Sequence, residues 1–201
     1  MKKSMYGSFN SIFTTSFFSL EEALPINDKD GEGYYRITGM DSVICCILDQ
    51  NDSFVMVRQY RPNLEALTLE TPAGGLEFAE NAMQAARREI QEETGLICAL
   101  LPVGQTFSLM MNRTNIKDHL FFGMNPESIP NHVQETGLDV LRVPRKKLFK
   151  SAICGDYRQL GALGLLFVTG GILQVDMWNS PFEVINQAFG KHPKVEWPIY
   201  G

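Results

Sequence analysis

The segment between Gly74 and Leu96 constrains the fold and the chemistry of this chain more than any other. Glu89, Glu92 and Glu93 have the i, i+3, i+4 spacing that places side chains on one face of a helix. Three carboxylates held this close repel one another near neutral pH, so the face is useful only if a cation or a basic group neutralises it. Because hard divalent cations prefer carboxylate oxygens, we expect Mg²⁺ here, with Mn²⁺ as an alternative.

The residues around these carboxylates predict where the helix begins and ends. We expect it to run from Phe78 or Ala79 to Thr94, with Gly95 as its C-terminal stop. An apolar stripe at i, i+4 and i+8 should pack on a sheet and turn the acidic face toward a cleft. The stripe consists of Ala82, Ala86 and Ile90. The Gly74-Gly75 pair before the helix lets main chain come close to a metal or a phosphate.

An acidic helix face with basic neighbours such as Arg87 and Arg88 is ordinarily a solvated surface. The complete spacing of the segment argues against that interpretation. It follows the pattern Gly-x5-Glu-x7-Arg-Glu-U-x-Glu-Glu-x-Gly-U, where U is a bulky aliphatic residue. The specified positions are filled by Gly74, Glu80, Arg88, Glu89, Ile90, Glu92, Glu93, Gly95 and Leu96. The segment therefore resembles the Nudix box, the motif of a family of hydrolases.

The resemblance implies roles for individual side chains. The helix of the box binds the catalytic metals in Nudix enzymes, which implies that Glu89, Glu92 and Glu93 are the ligands here. The first glutamate of the box supports the loop, and the arginine orients a glutamate by ion pairing. This implies supporting roles behind the ligands for Glu80 and Arg88. The metals would neutralise developing charge on a diphosphate and lower the pKa of the attacking water.

The sequence before the box narrows the resemblance. Residues 57–62 read Val-Arg-Gln-Tyr-Arg-Pro, and residues 69–75 read Leu-Glu-Thr-Pro-Ala-Gly-Gly. Both resemble the branch that contains ADP-ribose pyrophosphatases and nucleoside-diphosphate-sugar hydrolases. In that branch the alanine before the box glycine often gives its carbonyl oxygen to a metal, which implies Ala73.

In that branch the arginines of this strand often lie near the phosphates or ribose of the substrate, which implies substrate contacts for Arg58 and Arg61, and the planar fork of arginine suits phosphate. Glu70 is expected to contact the substrate as well. For the two arginines an ordinary ion pair at a strand edge is the alternative. One segment departs from the branch: residues 109–119 lack the proline that ADP-ribose pyrophosphatases commonly carry beyond the box. Arg113 in this segment is expected either in an altered substrate loop or in a solvated turn, so the departure bears on the substrate more than on the reaction.

The catalytic base of this branch often lies outside the box, on a loop before a late strand. Residues 134–140 resemble that passage, and Glu135 is the candidate that activates water. Asp139 is expected inside the strand and is the weaker candidate. If Glu135 is only a solvated loop residue, Glu92 or Glu93 takes the role. His119 begins an apolar strand and is expected to be a hydrogen-bonded structural histidine.

The order of the elements predicts an α/β fold, and the resemblance implies a Nudix-type α/β/α sandwich with a mixed sheet and a loop–helix–loop motif. Residues 1–33 are expected to form an N-terminal arm, and residues 34–201 the Nudix domain. The predicted strands are 42–48, 54–59, 67–71, 96–107, 119–124 and 138–143. The predicted later helices are 145–151, a helix capped by Asp156 and running through 168, and 181–189. The branch commonly forms homodimers, which implies a dimer in which the Phe-rich arm takes part.

Composition limits the class of protein. Of the 201 residues, 44% are hydrophobic and 20% are charged, as in globular proteins, and the formal net charge is −5. This charge argues against a nucleic-acid partner, which requires clustered basic residues. The four cysteines form no CxxC pair, which favours a reducing cytoplasm. Neither a signal peptide nor a membrane span is expected, since the most apolar stretch, 160–175, is short and rich in glycine.

These observations predict a metal-dependent pyrophosphohydrolase. The expected substrate is a nucleoside diphosphate linked to another moiety, above all ADP-ribose or a nucleotide sugar. The products would be a nucleoside monophosphate and a phosphorylated moiety. Two alternatives remain open: a coenzyme or dinucleoside polyphosphate pyrophosphatase, and a non-catalytic Nudix module that senses nucleotide sugars. The intact set of box glutamates favours an enzyme.

Overall fold

The computed structural model describes residues 5–27 and 31–196. The strands are β1 Asn10–Thr14, β2 Phe18–Ala23, β3 Tyr34–Gly39, β4 Ser42–Leu48, β5 Ser53–Arg61, β6 Ala66–Glu70, β7 Ala73–Gly75, β8 Leu96–Phe107, β9 Asp118–Ser128 and β10 Asp139–Pro144. The helices are α1 Ala82–Thr94, α2 Arg145–Cys154, α3 Leu160–Leu173 and α4 Phe182–Lys191, with a short 3₁₀ turn at Pro62–Leu64. None of these helices is long and apolar enough to cross a lipid bilayer.

The larger sheet has the order β10-β5-β4-β9-β8, with β6 paired to β5 and β7 paired to β4. It is a mixed sheet, because β4 and β9 run parallel while the other pairs are antiparallel. Strand β4 is buried on both faces, as a continuous apolar run predicts. Alternate residues of β4 therefore belong to two separate cores, one beneath α1 and one beneath α3 and α4. This is the predicted sandwich of helices on both faces of a mixed sheet.

The N-terminal region forms a second, three-stranded antiparallel sheet in the order β1-β2-β3. Its last strand, Tyr34–Gly39, lies beyond residue 33. The sheet docks on the segment between β8 and β9: Tyr34 Oη donates to the carbonyl oxygen of Asn112 at 2.6 Å, and Ile37 N–H donates to that of Arg113 at 2.7 Å. This region keeps large apolar side chains in solvent, including Phe17 in the β1–β2 turn, which is 86% exposed.

Helix α1 ends at Thr94 as predicted, and Gly95 adopts the left-handed conformation with φ 66°. Its start was predicted three or four residues too early. Ala79 has φ 64° and is not helical, and Asn81 caps the helix instead. The Asn81 side chain accepts from Gln84 N–H at 3.0 Å, and the Gln84 side chain accepts from Asn81 N–H at 2.9 Å. This reciprocal capping box fixes the start of the helix at Ala82.

The capping residue of α3 was also predicted wrongly. The helix begins at Leu160, and the residue before it is Gln159 rather than Asp156. Gln159 is extended, and its side-chain oxygen accepts hydrogen bonds from Thr71, which follows β6. Residues 156–159 are therefore a linker before α3. The stretch predicted as a buried apolar helix and its exit turn is α3 followed by Gln174 in the left-handed conformation. The start of this helix differs from the prediction because Gln159 makes a tertiary contact that the local sequence does not reveal.

Candidate active site

The glycine loop and the acidic helix meet directly. Gly74 lies on β7 opposite Val43 of β4, and α1 packs over both strands. A Cβ atom placed on Gly74 would overlap the carboxylate of Glu89. The first box glycine is therefore required by close approach to the acidic face, whereas Gly95 at the other end of the box is required by its backbone conformation.

Arg88 holds the carboxylates of the box together. Its guanidinium donates to Glu80 at 3.0 and 3.1 Å, to Glu89 at 2.8 Å and to Glu92 at 3.1 Å. It also donates to the carbonyl oxygen of Gly75 at 2.8 Å. The hydrogen bonds from Arg88 lower the pKa of Glu80. These contacts agree with the supporting positions that the resemblance implies for Glu80 and Arg88.

Glu93 is the most deeply placed of the three helix carboxylates and is only 7% exposed. Its Oε2 accepts from the backbone N–H of Ala73 at 3.1 Å. Burial raises the pKa of Glu93 to about 8, because the charged form loses hydration. The charges of Glu89 and Glu135 raise it further, while the Ala73 N–H and Arg61 oppose the change. The pKa of Glu89 is also raised, first by burial and then by the charges of Glu92 and Glu135 against the opposing effect of Arg88.

Glu135 lies in the loop between β9 and β10, within electrostatic reach of the acidic helix. Its charge acts on both Glu89 and Glu93, although the loop is far from α1 in sequence. Two contacts hold this loop against the end of α1. Gln134 Nε2 donates to the carbonyl oxygen of Glu93 at 2.8 Å, and Ile129 N–H donates to that of Gly95 at 2.8 Å. The structure thus brings the predicted base to the predicted metal ligands, and Gln134 is a contributor that no sequence signal indicated.

The donor chemistry of this site fits a hard divalent cation. Burial raises the pKa of Glu89 and Glu93, and the charges of neighbouring carboxylates, including Glu135, raise it further, a cost that a bound cation would relieve. Over residues 5–27 and 31–196, no three acidic, histidine or cysteine side chains already converge in a coordinating arrangement. The guanidinium of Arg88 binds both Glu89 and Glu92 in this structure.

The two arginines of β5 are both paired. Arg61 forms a bidentate ion pair with Glu70 at 2.7 and 2.6 Å, close enough to Glu93 to influence its pKa. Arg58 donates to Asp139, the first residue of β10, at 3.1 and 2.7 Å. This second pair is exposed and corresponds to the strand-edge ion pair that was the alternative for these arginines. Arg61 is therefore better placed than Arg58 to meet a phosphate.

Two further sequence candidates, Arg113 and His119, lie between β8 and β9 and near the start of β9. The guanidinium of Arg113 is 5.9 Å from the centre of the Tyr34 ring, and its described contacts are with the N-terminal sheet rather than with the box. His119 Nε2 lies 3.4 Å from Asp41 Oδ2, consistent with a hydrogen-bonded structural histidine. Neither residue is in described contact with the acidic helix.

The fold and the site together define a class: an α/β/α sandwich in which a glycine loop and a helix present carboxylates at the edge of a mixed sheet. A family model described as the NUDIX domain matches residues 39–154, more than half of the 201 residues. The chain belongs to the Nudix family. The structure resembles the crystal structure of an ADP compounds hydrolase with a TM-score of 0.67, covering 86% of this chain and 97% of that one at 18% identity. At that identity the likeness shows the shared fold.

Two curated proteins are similar to parts of the chain. The methanol dehydrogenase activator of Bacillus methanolicus is 42% identical over 75 residues, covering 37% of this chain and 40% of that protein. The putative nudix hydrolase 2 of Caenorhabditis elegans is 44% identical over 57 residues, covering 28% of this chain and 26% of that protein. Both alignments therefore span less than half of the relatives' own length.

Proposed function

We propose that this protein is a metal-dependent pyrophosphohydrolase that cleaves a nucleoside diphosphate linked to another moiety. The observation that carries the proposal is the loop–helix arrangement that buries Glu93 to 7% exposure and sets Glu89 against Gly74. Burial, followed by the charge of nearby Glu135, raises the pKa of both carboxyl groups. Buried carboxylates with raised pKa values cost stability, and such groups cluster at functional sites. The similar structure whose name is ADP compounds hydrolase supports ADP-ribose or a nucleotide sugar as the substrate class.

The proposed ligands of the metal ions, Mg²⁺ with Mn²⁺ as a substitute, are Glu89, Glu92, Glu93 and the carbonyl oxygen of Ala73. When bound, the ions neutralise the diphosphate and favour ionisation of the attacking water. Arg88 and Glu80 keep the helix carboxylates oriented through the contacts described above. These residues form the electrostatic part of the site.

The chemical step that we propose needs one base and one displaced oxygen. Glu135 takes a proton from water while the water oxygen bonds to one phosphorus. The bond from that phosphorus to the bridging oxygen breaks, and the bridging oxygen leaves with the second phosphate. Arg61 offsets the charge of the phosphates beside the helix. The products are a nucleoside monophosphate and a phosphorylated moiety.

We also propose that the protein is a homodimer that uses the β1–β3 sheet. Support comes from apolar side chains that a monomer leaves in water: Phe17 is 86% exposed, Phe13 57% and Ile12 52%. A reducing cytoplasm suits the four free cysteines. Sedimentation at micromolar concentration tests the dimer, and a monomeric protein would contradict it.

A substrate panel with Mg²⁺ tests the proposed activity. ADP-ribose, GDP-mannose, UDP-glucose, NADH, coenzyme A and diadenosine polyphosphates are each incubated with the protein, and monophosphate products are measured. We expect turnover of ADP-ribose or a nucleotide sugar. Preferred turnover of coenzyme A or a dinucleoside polyphosphate would replace the substrate class. Folded, metal-loaded protein that binds a nucleotide sugar without cleaving any compound would refute the hydrolase.

A further inference from the structure

A cavity of about 430 Å³ with polar and apolar walls lies along β6 and is lined in part by Glu70. Glu70 pairs with Arg61 of the proposed active site. One wall is the end of the β5–β6 hairpin with Leu64 and Leu67, of which Leu67 is 66% exposed. The opposite wall is the linker before α3, which contributes Asp156, Arg158 and Gln159. Among the described residues β6 pairs with β5 alone, so its other edge borders this cavity.

The amide of Gln159 is oriented by its neighbours. Its Oε1 accepts from Thr71 N–H at 2.8 Å, from Thr71 Oγ1 at 3.0 Å and from Tyr157 Oη at 3.0 Å. The backbone N–H of Thr71 can only donate, which identifies the oxygen of the amide and leaves its NH₂ group on the cavity side. Thr71 and Tyr157 are buried, so the orientation is held firmly. Within the described residues this NH₂ group has no hydrogen-bond partner.

The other polar groups of the cavity complement this donor. Arg158 uses Nε for the carbonyl oxygen of Gly155 at 3.3 Å, and no other hydrogen bond of its guanidinium occurs within the described part of the chain. Asp156 and Glu70 add carboxylate acceptors. A hydroxyl group both donates and accepts, so neighbouring hydroxyls of a sugar ring match this mixture of groups. The described lining contains no aromatic ring on which a base would stack.

The cavity is connected to the acidic helix through one ion pair. Glu70 lines the cavity and binds Arg61 at 2.6 and 2.7 Å, and Arg61 is near Glu93. A diphosphate that contacts Arg61 would therefore have one of its two substituents at the mouth of the cavity.

We propose that this cavity binds the sugar ring of a nucleoside-diphosphate-linked sugar, with Asp156, Arg158 and the Gln159 amide as the groups that select its hydroxyls. The proposal rests on the proposed function, since it places the sugar relative to the diphosphate that is cleaved there. Leu64 and Leu67 would cover the apolar face of the ring.

Two variants remove recognition and leave the hydrogen bonds of the Gln159 amide in place. Asp156→Asn keeps size, and Arg158→Gln removes the guanidinium. Their matched controls are Glu127→Gln at the end of β9 and Lys147→Gln on α2, both exposed and outside the lining of the cavity. The probes are the best substrate among ADP-ribose, UDP-glucose and GDP-mannose, and the matching nucleoside diphosphate without the sugar as a competitive inhibitor.

We expect each cavity variant to lower kcat/KM for the sugar-bearing substrate by about tenfold, the effect of losing one hydrogen bond to a hydroxyl. The inhibition constant of the nucleoside diphosphate should change far less, and the controls should alter neither quantity. Equal losses for substrate and inhibitor, or no loss for either, would overturn the proposal. A wild-type protein that cleaves none of these three compounds would refute the proposed substrate class instead, so the two failures are distinguishable.

Discussion

Replacing Glu93 by Gln is expected to stabilise the metal-free protein and to abolish turnover. Burial raises the pKa of Glu93 from an ordinary value of 4.5 to about 8, so ionisation opposes folding. The sign follows from linkage: the stability is fully present below pH 4.5 and is lost as pH rises toward 8. A tenfold change in an ionisation equilibrium corresponds to about 1.4 kcal/mol, so the cost of burying Glu93 is on the order of 3 kcal/mol at pH 7. Gln keeps the oxygen that accepts from Ala73 N–H and carries no charge.

The assay is denaturant unfolding in EDTA from pH 4.5 to pH 9 for the wild type and Glu93→Gln. We expect the variant to gain stability over the wild type as the pH rises and to level off near the pKa of Glu93. Added Mg²⁺ should raise the free energy of unfolding of the wild type, because binding to the folded state stabilises it. The free energy of unfolding of the variant should stay unchanged. Parallel curves for the two proteins in EDTA would show that Glu93 is not held uncharged by burial, and the argument for the acidic cluster would then fail.

Three further changes test other contacts. Gly74→Ala places a methyl group where the Glu89 carboxylate lies and should lower turnover by about 100-fold, while Gly171→Ala, whose added methyl meets nothing within 4 Å, should not. Glu135→Gln should lower kcat by about 100-fold while Mg²⁺ binding measured by calorimetry persists; a loss below tenfold would assign the base elsewhere. Arg145→Met, which removes the partner of Asp52 and of two carbonyl oxygens, should cost about 3 kcal/mol in thermal unfolding, and an unchanged Tm would contradict it.

Parts of the fold and site that depend on local periodicity could be predicted. The helix that carries the glutamates, its end at Gly95 and the two-faced burial of β4 all follow from spacing over a few residues. The first residues of the helices were harder to predict from the sequence. The capping box at Asn81 competes with a longer helix, and the contact of Gln159 with Thr71 joins segments that are 88 residues apart.

The sequence by itself determined the chemical character of the site, because an acidic helix face requires only the 3.6-residue repeat and its capping residues. Tertiary structure decided which groups surround that face. Three contacts depend on the register between distant strands and loops. They are the approach of Gly74 to Glu89, the ion pair of Arg58 with Asp139, and the hydrogen bond from Gln134 to the end of α1. Register is set by burial of the whole sheet, which no single segment encodes.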